Sequence, residues 1–291
     1  MQENISIPSN GVLLSAVLHY PADYIEGKKY PCIIVLHGFG SNKEGANVTV
    51  PCGLYNKLGY FALRFDMQSC GQSGGDLGMV LCEDQVKNTK DVISFLQSRK
   101  EINPLKIALS GSSFGAAVAI YTGGDDKRVG AVISAGGWGN GDRKLQGQHP
   151  GQEAWEKFTA MLAAGKAYRK EHGKPMMVSR FDIVPIPPHL RQGLPSNAVM
   201  DFSVDTAQSI FDFMPEKKLA DLAPRPLLLL HAAIDSVTPT SESIEMFRMS
   251  KKPTELHLFD DVEHFMMGES DPRVESVITN WLAKYFPNDL V

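Results

Sequence analysis

Short apolar runs punctuate this chain at regular intervals, and their texture changes from one end to the other. Ile5–Ile7 and Val12–Tyr20 precede the first buried run, and the second of them alternates apolar with small or polar residues. Together they predict an opening antiparallel pair. From Cys32 the run "CIIVLHG" is apolar almost throughout, which marks a strand covered on both faces. "YFALRFD" (60–66), "LKIALSG" (105–111), "RVGAVISAGG" (128–137), "RPLLLLHA" (225–232) and "TELHLFD" (254–260) repeat that texture. Between several of them the period lengthens. In 83–100, Val86, Val92, Ile93 and Leu96 fall at helical spacing, and "PRVESVITNWLAKYF" opens on Pro272, where a first helical turn tolerates proline. Eight strands alternating with helices predict an α/β fold built on a mostly parallel sheet with helices on both faces.

One stretch breaks the alternation. From about Trp138 to Leu222 the chain offers helix-like pieces, "QEAWEKFTAMLAAGKAYRKEHG" and "DTAQSIFDFM", joined by the proline-rich "VPIPPHLRQGLP". Residues 137–222 are therefore expected to form a helical cap inserted into a core made of 1–136 and 223–291. Within it, Trp155, Phe158, Met161, Leu162, Phe211, Phe213 and Met214 are the large residues from which a substrate pocket would draw a minority.

Composition narrows the partners. In 291 residues, 29 Lys and Arg stand against 33 Asp and Glu, and no basic run suits a nucleic acid or a membrane surface. No apolar run approaches the ~20 residues of a bilayer span, and the polar start "MQENISIPSNG" lacks the features of a signal peptide. The four cysteines form no C-x-x-C pair and are expected to be free thiols in a cytoplasmic protein. No His, Cys and carboxylate grouping has metal-ligand spacing, so neither a metal nor another cofactor is expected. A small molecule is the expected partner; association as a homodimer is left open.

The pattern G-x-S-x-G occurs twice, at Gly111–Gly115 and Gly71–Gly75. A serine displayed as a nucleophile needs a strand directly before it and a helix directly after. "KIALSG" runs into Ser113, and the small-residue segment "FGAAVAIY" leaves it. Ser73 is separated from its strand by an irregular segment and is followed by paired glycines that oppose a helix. Ser113 is thus the candidate nucleophile, the alternative being a simple helix cap. A serine hydroxyl needs a base, and the base needs an orienting group. Asp235 follows "LLLLHAAI" and His264 follows the next strand, both at strand ends where open sheets place their sites. Asp260 and Asp261 compete with Asp235 for the acid's role by proximity to His264. Two backbone N–H groups would complete an oxyanion site: that of Phe114, after the serine, and that of Phe39 in "HGFG" (37–40). His37 is expected to hold that loop, His231 to be a satisfied core group and Asp66 to fix its own loop. His149, His172 and His189 are expected on the surface of the insertion.

With these residues in view, the chain resembles the α/β-hydrolase superfamily over nearly its whole length. It is similar to the bacterial carboxylesterase and serine-peptidase-like branches, which share the loops that here read "HGFG" and "RFDMQSCGQSGG". It departs from them at Ala232, where glycine is usual, and at Ser112, where histidine is common. The resemblance implies a catalytic triad of Ser113, Asp235 and His264, with Phe39 and Phe114 as oxyanion donors. It implies hydrolysis of a carboxylic ester, or of a related acyl bond, through an acyl-enzyme. Thioester, lactone, carbon–carbon or peptide cleavage and acyl transfer use the same machinery, and a non-catalytic receptor is the alternative of a different class.

Overall fold

The computed structural model describes residues 1–289. Strands β1 (Gln2–Ser9) and β2 (Val12–His19) form the expected hairpin. There follow β3 (Tyr30–Leu36), α1 (Ala46–Lys57), β4 (Phe61–Phe65), α2 (Cys82–Ser98), β5 (Ile102–Ser112), α3 (Phe114–Asp125) and β6 (Val129–Ala135). After a long excursion the chain returns through β9 (Leu227–Ala232), α9 (Ser241–Met249), β10 (Thr254–Phe259) and α10 (Pro272–Tyr285). The excursion itself contains α4 (Gly141–Gln148), α5 (Gln152–His172), β7 (Met177–Ser179), α6 (Arg180–Ile183), β8 (Asp201–Ser203), α7 (Val204–Asp212) and α8 (Leu219–Leu222).

The large sheet has eight strands in the order β1-β2-β4-β3-β5-β6-β9-β10. The pairings β1 with β2 and β2 with β4 are antiparallel, and all others in it are parallel. The apolar run of β3 has the reason expected for it: all seven residues are buried. Its side chains alternate between two layers. Ile33 and Val35 join Tyr55 of α1 and Trp281 of α10 on one face, whereas Ile34 and Leu36 join Val92 of α2 and Val118 of α3 on the other.

The excursion differs from its expected purely helical form. Met177–Ser179 and Asp201–Ser203 pair as a two-stranded antiparallel ribbon, and α4 has no counterpart in the sequence reading. Strands of three residues are too short to carry a period, and their pairing spans more than twenty residues of chain, so local pattern does not announce them. The ribbon's Phe202 stacks on Phe39 with ring centroids 4.2 Å apart and ties the excursion to the sheet's carboxyl edge. The four cysteines are buried free thiols, as expected.

Candidate active site

Ser113 stands between β5 and α3 with φ 56° and ψ −118°, a conformation that costs a non-glycine residue about 1–3 kcal/mol. The sequence permits the turn because its two glycines leave room. A Cβ on Gly115 would lie 2.5 Å from the carbonyl oxygens of Leu36 and His37, and one on Gly111 would lie 2.2 Å from the Gly115 oxygen. The Ser113 N–H donates to Ala135 O at 2.8 Å, and its carbonyl accepts from Ala116 and Ala117 in the first turn of α3. These bonds hold the strained residue in place.

The side chain is met by His264, which follows β10 and is buried. Its Nε2 lies 2.8 Å from Ser113 Oγ and its Nδ1 lies 2.8 Å from Asp235 Oδ2. A carboxylate only accepts, so Nδ1–H donates to Asp235, which leaves Nε2 to accept from the Ser113 hydroxyl. Asp235 in turn receives the N–H groups of Val237 and Thr238 on Oδ1, both at 2.8 Å. Burial pushes its carboxyl up, but electrostatic attraction to His264 and His231 and the hydrogen bonds they donate outweigh this and hold it well below the usual carboxylate range. Asp260 and Asp261 are exposed and make no hydrogen bond or ion pair with His264 among the described residues.

Ser73 has a different occupation. Its Oγ donates to Asp66 O and accepts from Ser15 N at 2.9 Å, pinning a loop to β2. Asp66 fixes the same loop, accepting from Lys43 N, Lys43 Nζ and Gln72 N at 2.6 to 2.8 Å.

The "HGFG" loop lies directly over the serine, with a Cβ on Gly38 falling 3.6 Å from Ser113 Cβ. His37 sets its orientation. The ring accepts from Met67 N at Nε2 (3.0 Å) and donates from Nδ1 to Gly38 O (2.8 Å), a neutral tautomer that burial favours by lowering the ring's pKa. Ser41 N donates to the same oxygen. Because the peptide unit is planar and trans, fixing Gly38 O turns the Phe39 N–H to the opposite side. Phe114 is the first residue of α3, where N–H groups have no intrahelical acceptor.

A narrow cavity of about 30 Å³ joins these groups, lined by Gly38, Phe39, Ser113 and His264 and, from the excursion, by Arg180, Val184, Ile186 and Leu194. The family model described as "Serine aminopeptidase, S33" matches residues 27–271, which include Ser113, Asp235, His264 and the "HGFG" loop. The chain belongs to this family of α/β-hydrolases.

Relatives within and around the family span nearly the same length. An uncharacterised 31.7 kDa protein of the traX-finO intergenic region of Escherichia coli is 25% identical over 88% of this chain and 92% of its own. The thiohydrolase aneE of Aspergillus aculeatus is 24% identical over 83% of this chain and 80% of its own. Among solved structures, the α/β-hydrolase GrgF of a Penicillium species superposes with a TM-score of 0.80 at 20% identity, covering 98% of this chain and 99% of that one. That likeness shows the shared fold.

Several residues at this hydrolase site carry no sequence signal of their own. Glu263 accepts from His264 N (3.1 Å) and Ser236 N (3.2 Å) and so ties the loop of His264 to the loop of Asp235. His231 proves more than a satisfied core group: its Nε2 lies 3.2 Å from Asp235 Oδ2 and 3.1 Å from Thr238 O. Both are acceptors, so Nε2 carries the proton, and Nδ1 accepts from Ser243 Oγ at 2.7 Å. Arg180 reaches from α6 to the carbonyls of Phe39 and Gly40. None of the large residues expected to offer a pocket wall lines the cavity. Phe158 and Met161 border a separate groove on the excursion, and Phe213 stacks on Tyr121. His149, expected on the surface, is half-buried against Phe158 with centroids 4.5 Å apart.

Proposed function

We propose that this chain is a serine hydrolase that cleaves a carboxylic ester through an acyl-enzyme. The observation that carries the proposal is the hydrogen-bonded chain Ser113 Oγ–His264 Nε2, His264 Nδ1–Asp235 Oδ2, anchored on a strained turn. A strained serine whose hydroxyl meets a histidine oriented by a buried carboxylate is what proton transfer requires, and ligand binding alone has no need of it.

In this proposal Ser113 Oγ attacks the ester carbonyl while its proton passes to His264 Nε2. The former carbonyl oxygen becomes an oxyanion and takes hydrogen bonds from the Phe39 and Phe114 N–H groups. Collapse of the tetrahedral species breaks the bond to the alcohol oxygen, which leaves with the proton from His264. Water then attacks the acyl-Ser113 ester, gives a proton to His264, and the acid departs as that proton returns to Ser113. Asp235 stays ionised throughout and stabilises the imidazolium. Residues 137–222 act as a cap whose Arg180, Val184, Ile186 and Leu194 close the site against bulk water. Hydrolysis of an acyl thioester is the second reading, favoured by the relative named as a thiohydrolase.

A panel comparing an oxygen ester, the matching thioester and an aminoacyl anilide tests the proposal. Ester turnover that Ser113→Ala lowers by at least about 10³-fold is expected. Turnover of the anilide alone would make the protein a peptidase instead.

A further inference from the structure

Two polar atoms at the Ser113 cavity are buried without a hydrogen-bond partner among the described residues, Arg180 Nε and Asn47 Oδ1. Arg180 is 2% exposed. Its Nη1 donates to Val199 O at 2.9 Å and Gly40 O at 3.3 Å, and its Nη2 donates to Phe39 O. All three acceptors are uncharged carbonyls. A guanidinium taken out of water without an anion is several kcal/mol worse off than a paired one, and burial already pushes Arg180 down to about 10. Clamping the "HGFG" loop occupies two of its donors, and Val199 O takes a third. These bonds leave the Nε–H idle and supply no negative charge, and Arg180 and Asn47 both line the cavity that holds Ser113.

We propose that Arg180 and Asn47 form an anion subsite, and that the preferred substrates are short acyl esters bearing a carboxylate. The inference rests on the hydrolase reading above and names its substrate class. The carboxylate accepts from Arg180 Nε–H, and Asn47 meets it with the NH2 end of its amide after a half-turn of the terminal torsion. The size of the cavity agrees with a short group. A cavity of about 30 Å³ holds about two water-sized groups, so a compact carboxylate fits where a long alkyl chain does not.

Methyl hydrogen succinate and methyl 4-methylpentanoate have the same shape and differ in charge, and proton release measures the hydrolysis of both. Wild type is expected to favour the charged ester by at least about tenfold in kcat/KM. Arg180→Met should collapse that ratio. Because it also loosens the Phe39 carbonyl, Asn47→Asp is the second variant: it sets a carboxylate in the cavity that Arg180 also lines, leaves the loop's bonds intact and should collapse the ratio as well. A wild-type ratio near one, or variants that lower both esters in step, would overturn the subsite and leave Arg180 as a clamp. If neither ester is turned over, it is the ester-hydrolase reading that fails. Titration of Ser113→Ala protein with succinate and with 4-methylpentanoate then decides the subsite alone. Tighter binding of succinate that Arg180→Met removes supports it, and equal binding refutes it.

Discussion

Asp235 collects donors from four groups: His264, His231 and the N–H groups of Val237 and Thr238. Replacing it by asparagine would put an amide where those donors need an acceptor and would free His264 to take the wrong tautomer. Asp235→Asn should therefore lower kcat by about 10³-fold or more, whereas Asp260→Asn and Asp261→Asn should change it little. Comparable kinetics for Asp235→Asn and wild type would hand the role to another acid. At this scale the sequence was informative about the groups that react. Ser113, Asp235 and His264 each follow an apolar strand run that local pattern reveals. It was silent about Glu263 and about the second role of His231, because those contacts join residues across separate loops. Such pairings depend on how two strand ends come to lie side by side.

Elements of the excursion were the least legible. The sequence of α4, "GDRKLQGQ", is short and polar, yet it carries Lys144 into the interior, 4% exposed and over the Trp138 ring at 5.5 Å. Burial lowers the Lys144 amine to about 7. The unfolded chain keeps that amine protonated up to its ordinary value near ~10.4, so above pH 7 the unfolded state binds more protons and stability rises with pH. Thermal or denaturant unfolding between pH 7 and 8.5 should give wild type a more positive slope of stability against pH than Lys144→Met, a comparison in which the ionisation of the four buried cysteines cancels. The same slope in both proteins would mean that the amine is not desolvated. The cap's role makes a second demand at this scale. Ile186 lines the Ser113 cavity and Met161 does not. Ile186→Ala should improve relative turnover of longer acyl esters, with Met161→Ala close to wild type in chain-length preference. Equal effects of the two would remove the cavity wall from this segment.

Over the whole molecule, strand alternation was enough to forecast an eight-stranded, mostly parallel sheet, and the structure bears this out. The fold brings together Ser113 after β5, Asp235 after β9, His264 after β10 and the "HGFG" loop after β3, all at one edge, from positions as distant in sequence as His37 and His264. What local pattern could not convey was the shape of the space above that edge, which depends on side chains such as Arg180 arriving from a distant segment. The central claim is that Ser113, and not the second G-x-S-x-G serine, is the activated nucleophile. A fluorophosphonate probe followed by peptide mapping tests it most directly. The account predicts a single adduct on Ser113 that His264→Ala suppresses and Ser73→Ala does not. Labelling at Ser73, or no labelling of folded wild-type protein, would contradict it.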